Sequence, residues 1–182
     1  RIENAEFSVG GATYKLEANN GPNHLHGCFN RKLYRVKSIG DTLLMEAESP
    51  DGEDGFPGNL KIAVRYTLTE DNAFRMDYRV SSDADTIVNL TNHSYFNLDG
   101  GGDVLNQKLR IYASRYLEGN NQCCPTGAIL PVADTPMDFT AGKLIGREID
   151  TGFAQTTMVG GGYDHCYVCL LYTSDAAVER SS

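Results

Sequence analysis

A strict alternation of apolar and polar residues constrains this chain more than any other feature. Leu60, Ile62, Val64, Tyr66 and Leu68 are separated by Lys61, Ala63, Arg65 and Thr67. The turn-rich Glu70-Asp71-Asn72 follows, and then Phe74, Met76, Tyr78 and Val80 alternate with Arg75, Asp77 and Arg79. Side chains point to opposite faces at successive positions only in an extended strand, so this pattern predicts two strands of a hairpin, each with one dry and one wet face. Phe7 and Val9, then Tyr14 and Leu16, repeat the pattern around Gly10-Gly11 and predict a second hairpin. Leu109, Ile111 and Ala113 start a further strand. Ser49-Pro50-Asp51-Gly52 and Phe56-Pro57-Gly58 supply turn chemistry between the runs. Nothing repeats every 3.6 residues for long, although Ala141 to Ile149 has room for one helical turn. Many strands divided by frequent turns predict an all-β sandwich or barrel.

With 182 residues, the chain is long enough for one domain with a hydrophobic core. Its net charge of −8 repels phosphate backbones and anionic lipid, which argues against nucleic acid and membrane as partners. No apolar run approaches the roughly 20 residues that span a bilayer. The first residues, Arg1-Ile2-Glu3-Asn4, show neither initiator Met nor signal-peptide pattern, so the chain reads as a piece of a longer, cytoplasmic protein. Five cysteines, an odd number, fit a reducing compartment better than a disulfide framework. After Cys169 the pattern breaks. Residues 1–169 read as one partial domain and residues 170–182 as a tail foreign to it, with no strand expected.

Several segments carry chemistry. Read as a strand, Ile87 to Leu98 places Asn89, Thr91, His93, Tyr95 and Asn97 on one face. Such a row of hydrogen-bonding groups with an aromatic ring suits a sugar, whose hydroxyls need fixed partners and whose ring face needs a flat apolar surface. It equally suits a solvated outer face. Asn19 to Gly27 is a loop in which His24, His26 and Cys28 alternate, so an extended backbone would bring them to one side as zinc ligands, although no fourth ligand is evident. Cys166 and Cys169 spell a CxxC, but positions three apart in a strand face opposite ways. Asp164 and His165 follow the glycine run 160–162, either as a functional acid and histidine or as a turn entering a strand. The acidic Asp51 to Asp54 lacks the ligand spacing of a calcium loop and reads as a turn.

Taken together, five segments in order resemble the aldose 1-epimerases: Asn20-Gly21-Pro22-Asn23-His24-Leu25-His26-Gly27, Ser49 to Gly58, Val88 to Leu98 with its Thr-Asn-His-Ser-Tyr-Phe-Asn core, Pro125-Thr126-Gly127, and Gly162-Tyr163-Asp164-His165. The resemblance implies a galactose-mutarotase-like β-sandwich (a supersandwich), here truncated at the C-terminus. It implies an isomerase that interconverts the α- and β-anomers of aldoses such as glucose and galactose, with a small sugar as partner and no cofactor or metal. It makes His93 the general acid, His26 a second active-site histidine, Arg1 a substrate-binding arginine, Tyr95 a neighbour of the acid in the sugar-binding stretch, and Asp164 the aspartate that grips sugar hydroxyls. His26, His93 and Asp164 are expected on one cleft. Four departures accompany the match, the first being that the asparagine the family carries before Arg1 is absent. Cys28-Phe29-Asn30-Arg31-Lys32 replaces a longer glycine-rich piece, Cys166 stands where many members have Asn, and the family's general base, a glutamate near the C-terminus, has no counterpart here. The surroundings of Glu179 do not match that motif. An alternative on the same fold is a carbohydrate-binding module without catalysis.

Overall fold

A computed structural model describes residues 1–169 and 176–179. It divides into two compact units, Arg1–Asn92 and His93–Ser182. The described regular structure is mainly strands, as the alternation predicts.

In the first unit, β1 (Glu6–Val9) and β2 (Ala12–Lys15) form a hairpin. Its two-residue turn is Gly10-Gly11, with φ of 60° and 80°, the left-handed pair that matches strand twist. A four-stranded antiparallel sheet follows in the order β3 (Arg35–Ile39), β4 (Thr42–Ser49), β5 (Leu60–Leu68) and β6 (Phe74–Ser82). Ile62 pairs with Ala47 and Val80, and Val64 with Met45 and Tyr78, so the predicted dry faces coincide. Ala47, Ile62 and Val64 are buried, with Phe29, Tyr34, Tyr66 and Leu90 packed against them. The alternation fades at the strand end, where Leu68 is 68% exposed.

The loop joining β4 to β5 is held by close backbone approach. Gly55 has φ of +92°, and a Cβ there would lie 2.1 Å from the Lys15 carbonyl oxygen. Both terms oppose any side chain, so Gly55→Ala is expected to destabilise the chain by at least about 1–3 kcal/mol. A urea midpoint matching that of the unsubstituted chain would show that the loop yields at no cost.

The second unit contains β7 (Lys108–Ile111), β8 (Ala113–Gly119), β9 (Pro125–Pro131), β10 (Lys143–Leu144), the single-turn helix α1 (Ala154–Met158), β11 (Tyr167–Cys169) and β12 (Ala176–Glu179). They pair as β10-β7-β12 and β11-β8-β9. Tyr116, Val132 and Met137 form its core, with Phe153, Tyr163 and Tyr167 around them.

Four expectations are corrected. The run through Leu109, Ile111 and Ala113 is two strands, because the chain changes sheet at Tyr112. The turn expected within 141–149 is a 3-10 turn at Ile145–Glu148, and the α-helical turn comes later, at α1. Ala176–Glu179, where no strand is expected, pairs with all four residues of β7. A backbone ladder needs a free neighbouring strand rather than alternating side chains. The rest of the tail, 170–175 and 180–182, lies outside the described residues. Finally, Ile87 to Leu98 is not a strand. It joins none of the described sheets, and alternation alone cannot supply a partner for its backbone.

Candidate active site

Arg1 and His26 lie in the first unit, and one small scaffold holds both. Ile2 and His24 form an antiparallel bridge, with N–H···O distances of 2.9 and 3.0 Å. The Arg1 Nε donates to Asn20 Oδ1 at 3.0 Å. Asn20 bridges to Asn23, and Asn23 Oδ1 accepts the Asn4 N–H at 2.9 Å. Asn19 grips the residue before His26 from both sides, accepting the Leu25 N–H at 2.7 Å and donating to its carbonyl at 3.0 Å. His26 itself is exposed, with a left-handed φ of 70°. A non-glycine residue holds that conformation only where its surroundings impose it, and the asparagine clamp does so here.

The same geometry removes the zinc arrangement. Positive φ at His26 and Gly27 breaks the extended run needed to bring His24, His26 and Cys28 to one side. His24 is 1% exposed, donates from Nδ1 to the Glu17 carbonyl at 2.7 Å and sets its ring edge-on to Phe56. Cys28 is buried against Ser49, and its burial raises the thiol pKa, which keeps it unreactive. No group of three or more His, Cys, Asp or Glu suited to a metal exists among the described residues.

The segment from Cys28 to Lys32 is tied to the acidic loop. Lys32 pairs with Glu53, Arg31 with Asp54 at 2.8 Å, and Ser49 donates to Glu53. The bond from Lys32, then that from Ser49, lowers the Glu53 pKa. Asp51 accepts the Gly58 N–H through Oδ1 and donates its own N–H to Asn59 Oδ1, so these acids close a turn, as the sequence suggests.

His93 and Tyr95 open the second unit. Both are exposed, Tyr95 to 90%, and their ring centroids are 5.2 Å apart at 54°. The imidazole beside an open aromatic face, expected from a strand, is therefore reached by an irregular segment. Asn97, assigned by alternation to the same face, does different work. Its Oδ1 accepts from Gln107 at 2.7 Å and its Nδ2 donates to the Gly101 and Gly102 carbonyls, closing the glycine turn.

Asp164 is exposed and, with His165, lines a shallow concavity beside Glu118, Cys123 and Met158. His165 Nε2 lies 3.0 Å from Gln155 Oε1, which also accepts the Gly119 N–H, while Gln155 Nε2 donates back to the Gly119 carbonyl. That orientation of the amide makes Nε2 the protonated nitrogen and leaves the buried Nδ1 bare, with no hydrogen-bond partner among the described residues. Burial lowers the His165 pKa, against an opposing pull from Asp164. The folded state therefore favours neutral imidazole. Its contribution to stability is present above the ordinary histidine value of about 6.5 and is lost as pH falls through the lower folded value. The melting temperature should drop between about pH 7 and about pH 5, and His165→Gln should flatten that drop. Equal slopes in both chains would remove His165 as the cause.

All five cysteines are free, with Cys166 exposed and Cys169 half-buried. Sequence patterning does not reveal that Asn19, Asn23, His24 and Gln155 position the site loops. A run of asparagines beside Gly-Pro is the available signal, since short amide side chains bond to nearby backbone.

A sequence profile of the aldose 1-epimerases matches residues 1–178, past the Cys169 boundary drawn from the sequence. The chain belongs to the aldose 1-epimerase family. It is 37% identical to the aldose 1-epimerase of Haemophilus influenzae, over 96% of this chain and 54% of that protein. It is 38% identical to the aldose 1-epimerase of Escherichia coli (92% and 49%) and 37% identical to the galactose mutarotase of Sus scrofa (93% and 49%). The chain thus spans about half the length of the curated relatives it matches. Among solved structures, the galactose 1-epimerase of Lactobacillus acidophilus superposes with a TM-score of 0.86 at 28% identity, covering 98% of this chain and 55% of that one. An aldose epimerase homologue from C. elegans gives 0.80 at 31% identity, covering 95% and 53%. The fold is that of the galactose mutarotases. No described helix is long and apolar enough to cross a membrane.

Proposed function

We propose that the aldose 1-epimerase domain represented by this chain interconverts the α- and β-anomers of aldohexoses such as glucose and galactose. The observation that carries the reading is the exposed pair of His93 and Tyr95, in ring contact within the Thr91–Asn97 stretch characteristic of the family. Ring opening needs a proton removed from the C1 hydroxyl and one delivered to the ring oxygen. Imidazolium suits the second task because histidine titrates near neutral pH. His93 is the donor in this reading, and His26 a second histidine near the anomeric centre. Arg1 and Asp164 hold the remaining hydroxyls while C1–C2 rotates, and reclosure on the other face gives the other anomer. No metal or cofactor enters. The proton on the C1 hydroxyl goes to a glutamate that the resemblance places outside this chain, so residues 1–182 alone accelerate exchange little. The five free cysteines support a reducing, cytoplasmic setting.

The missing base favours one second reading, a sugar-binding module without catalysis. Polarimetry of freshly dissolved α-D-galactose separates the two. A protein carrying this chain at the relatives' full length should speed the approach to equilibrium over buffer. Saturable galactose binding without acceleration would establish the module instead.

A further inference from the structure

Asn20-Gly21 is the single Asn-Gly step in the chain. It forms the turn of the Asn20–Asn23 bridge, with Asn20 N–H to Asn23 O at 3.0 Å and Asn23 N–H to Asn20 O at 3.1 Å. Gly21 sits exposed at the tip with φ of 60°, a conformation that spares a glycine any steric penalty. Its N–H has no hydrogen-bond partner among the described residues. The Asn20 side chain is fixed by its neighbour across the loop, where Arg1 Nε donates to Oδ1 at 3.0 Å.

We propose that Asn20 is a site of spontaneous deamidation, and that Arg1 promotes it. The free Gly21 nitrogen loses its proton and attacks Asn20 Cγ. A guanidinium N–H already on Oδ1 withdraws electron density from that carbon and stabilises the oxyanion of the tetrahedral intermediate, as a preorganised donor does in acyl transfer. The new N–Cγ bond closes a succinimide, the Cγ–NH2 bond breaks, and the amine leaves as ammonia after taking up a proton. Water then opens the ring at either C–N bond. One opening gives aspartate and the other isoaspartate, which carries one extra methylene in the main chain.

Both products act on the scaffold that carries Arg1 and His26. An aspartate at position 20 replaces the neutral amide that accepts from the Arg1 guanidinium with a carboxylate, so the bond becomes an ion pair that draws the guanidinium away from other partners. Isoaspartate lengthens the turn that sets Asn23 and, through the Ile2–His24 bridge, the arginine itself. The loss of sugar binding that follows rests on the proposed function. The deamidation chemistry does not, so its test reads no activity.

The native 182-residue chain is incubated in warm, mildly alkaline buffer beside its Arg1→Gln and Asn20→Gln variants and a urea-unfolded sample. Deamidation is followed by mass, localised by fragmentation within the tryptic peptide Leu16–Arg31 and by enzymatic labelling of isoaspartate. Replacement of NH2 by OH is expected at Asn20, with both isomers formed, several-fold more slowly in Arg1→Gln and not at all at position 20 in Asn20→Gln. A native Asn20 that stays intact while the unfolded sample converts would overturn the site. Equal rates in the native chain and Arg1→Gln would overturn the role of the arginine.

Discussion

Replacing His93 by alanine in a protein carrying this chain at the relatives' full length is expected to slow anomer exchange by about two to four orders of magnitude, the usual contribution of a general acid. The size follows from the chemistry of the step. Breaking the C1–O bond to the ring leaves an alkoxide unless a proton arrives with it, and His93 is the donor in the proposed mechanism. His93 is exposed, so its removal leaves no cavity and the melting temperature should hold. His93→Asn, which keeps a polar side chain beside Tyr95 but cannot transfer a proton at neutral pH, should lose nearly as much rate. The limb of the pH–rate profile that reports the acid should vanish in both variants. Polarimetry with α-D-glucose or α-D-galactose measures the rates. A His93→Ala enzyme within a few-fold of the parent would move the acid elsewhere, and His26 would be tested next.

Phe139→Ala should lower the free energy of unfolding by about 3–5 kcal/mol. Phe139 is 1% exposed, and its ring meets that of Tyr163 edge-on at a centroid distance of 4.9 Å. The Lys143 ammonium sits 4.6 Å from the ring centre on its other contact, held there by the Pro136 carbonyl and by Glu148. Alanine would remove the buried ring and the aromatic partner of a nearly buried cation, and the Phe139 carbonyl that accepts from Ile111 and Gly142 would keep its bonds on a less constrained loop. Tyr163→Phe provides the contrast. Its hydroxyl is buried with no hydrogen-bond partner among the described residues, so deleting it removes an unmet desolvation cost and should change stability by less than about 1 kcal/mol, in the stabilising direction. Urea unfolding of the three chains measures both. A Phe139→Ala cost below about 1 kcal/mol would mean that the loop collapses onto the site.

Much of the fold is legible in the sequence. The register of β5 against β4 and β6 places on one face the residues that alternation selects, because a pleat of period two leaves an apolar strand face no other way to reach a core. Gly10-Gly11 likewise reads as a hairpin turn, since only glycine accepts two left-handed residues in succession without penalty. The candidate site residues are also legible as residue types in order. The contact between His93 and Tyr95 follows from their spacing along an extended backbone, with or without a sheet.

What fails is each inference that needs a partner distant in sequence. Ile87 to Leu98 alternates like a strand but joins no described sheet, because a ladder is a property of two strands and alternation describes one. Asn97 leaves the expected face for the glycine turn because Gln107 reaches it there. His24, His26 and Cys28 lose their common side because Asn19, seven residues upstream of His26, clamps Leu25 and the backbone turns left-handed beyond it. The sequence by itself determined the strand class, the dry faces and the family, all of which rest on local periodicity and on chemistry carried by individual residues. Only the tertiary structure decided which backbones pair, which asparagines hold the site loops and which histidine nitrogen is left bare, because each of those depends on a hydrogen-bond partner that only folding brings within reach.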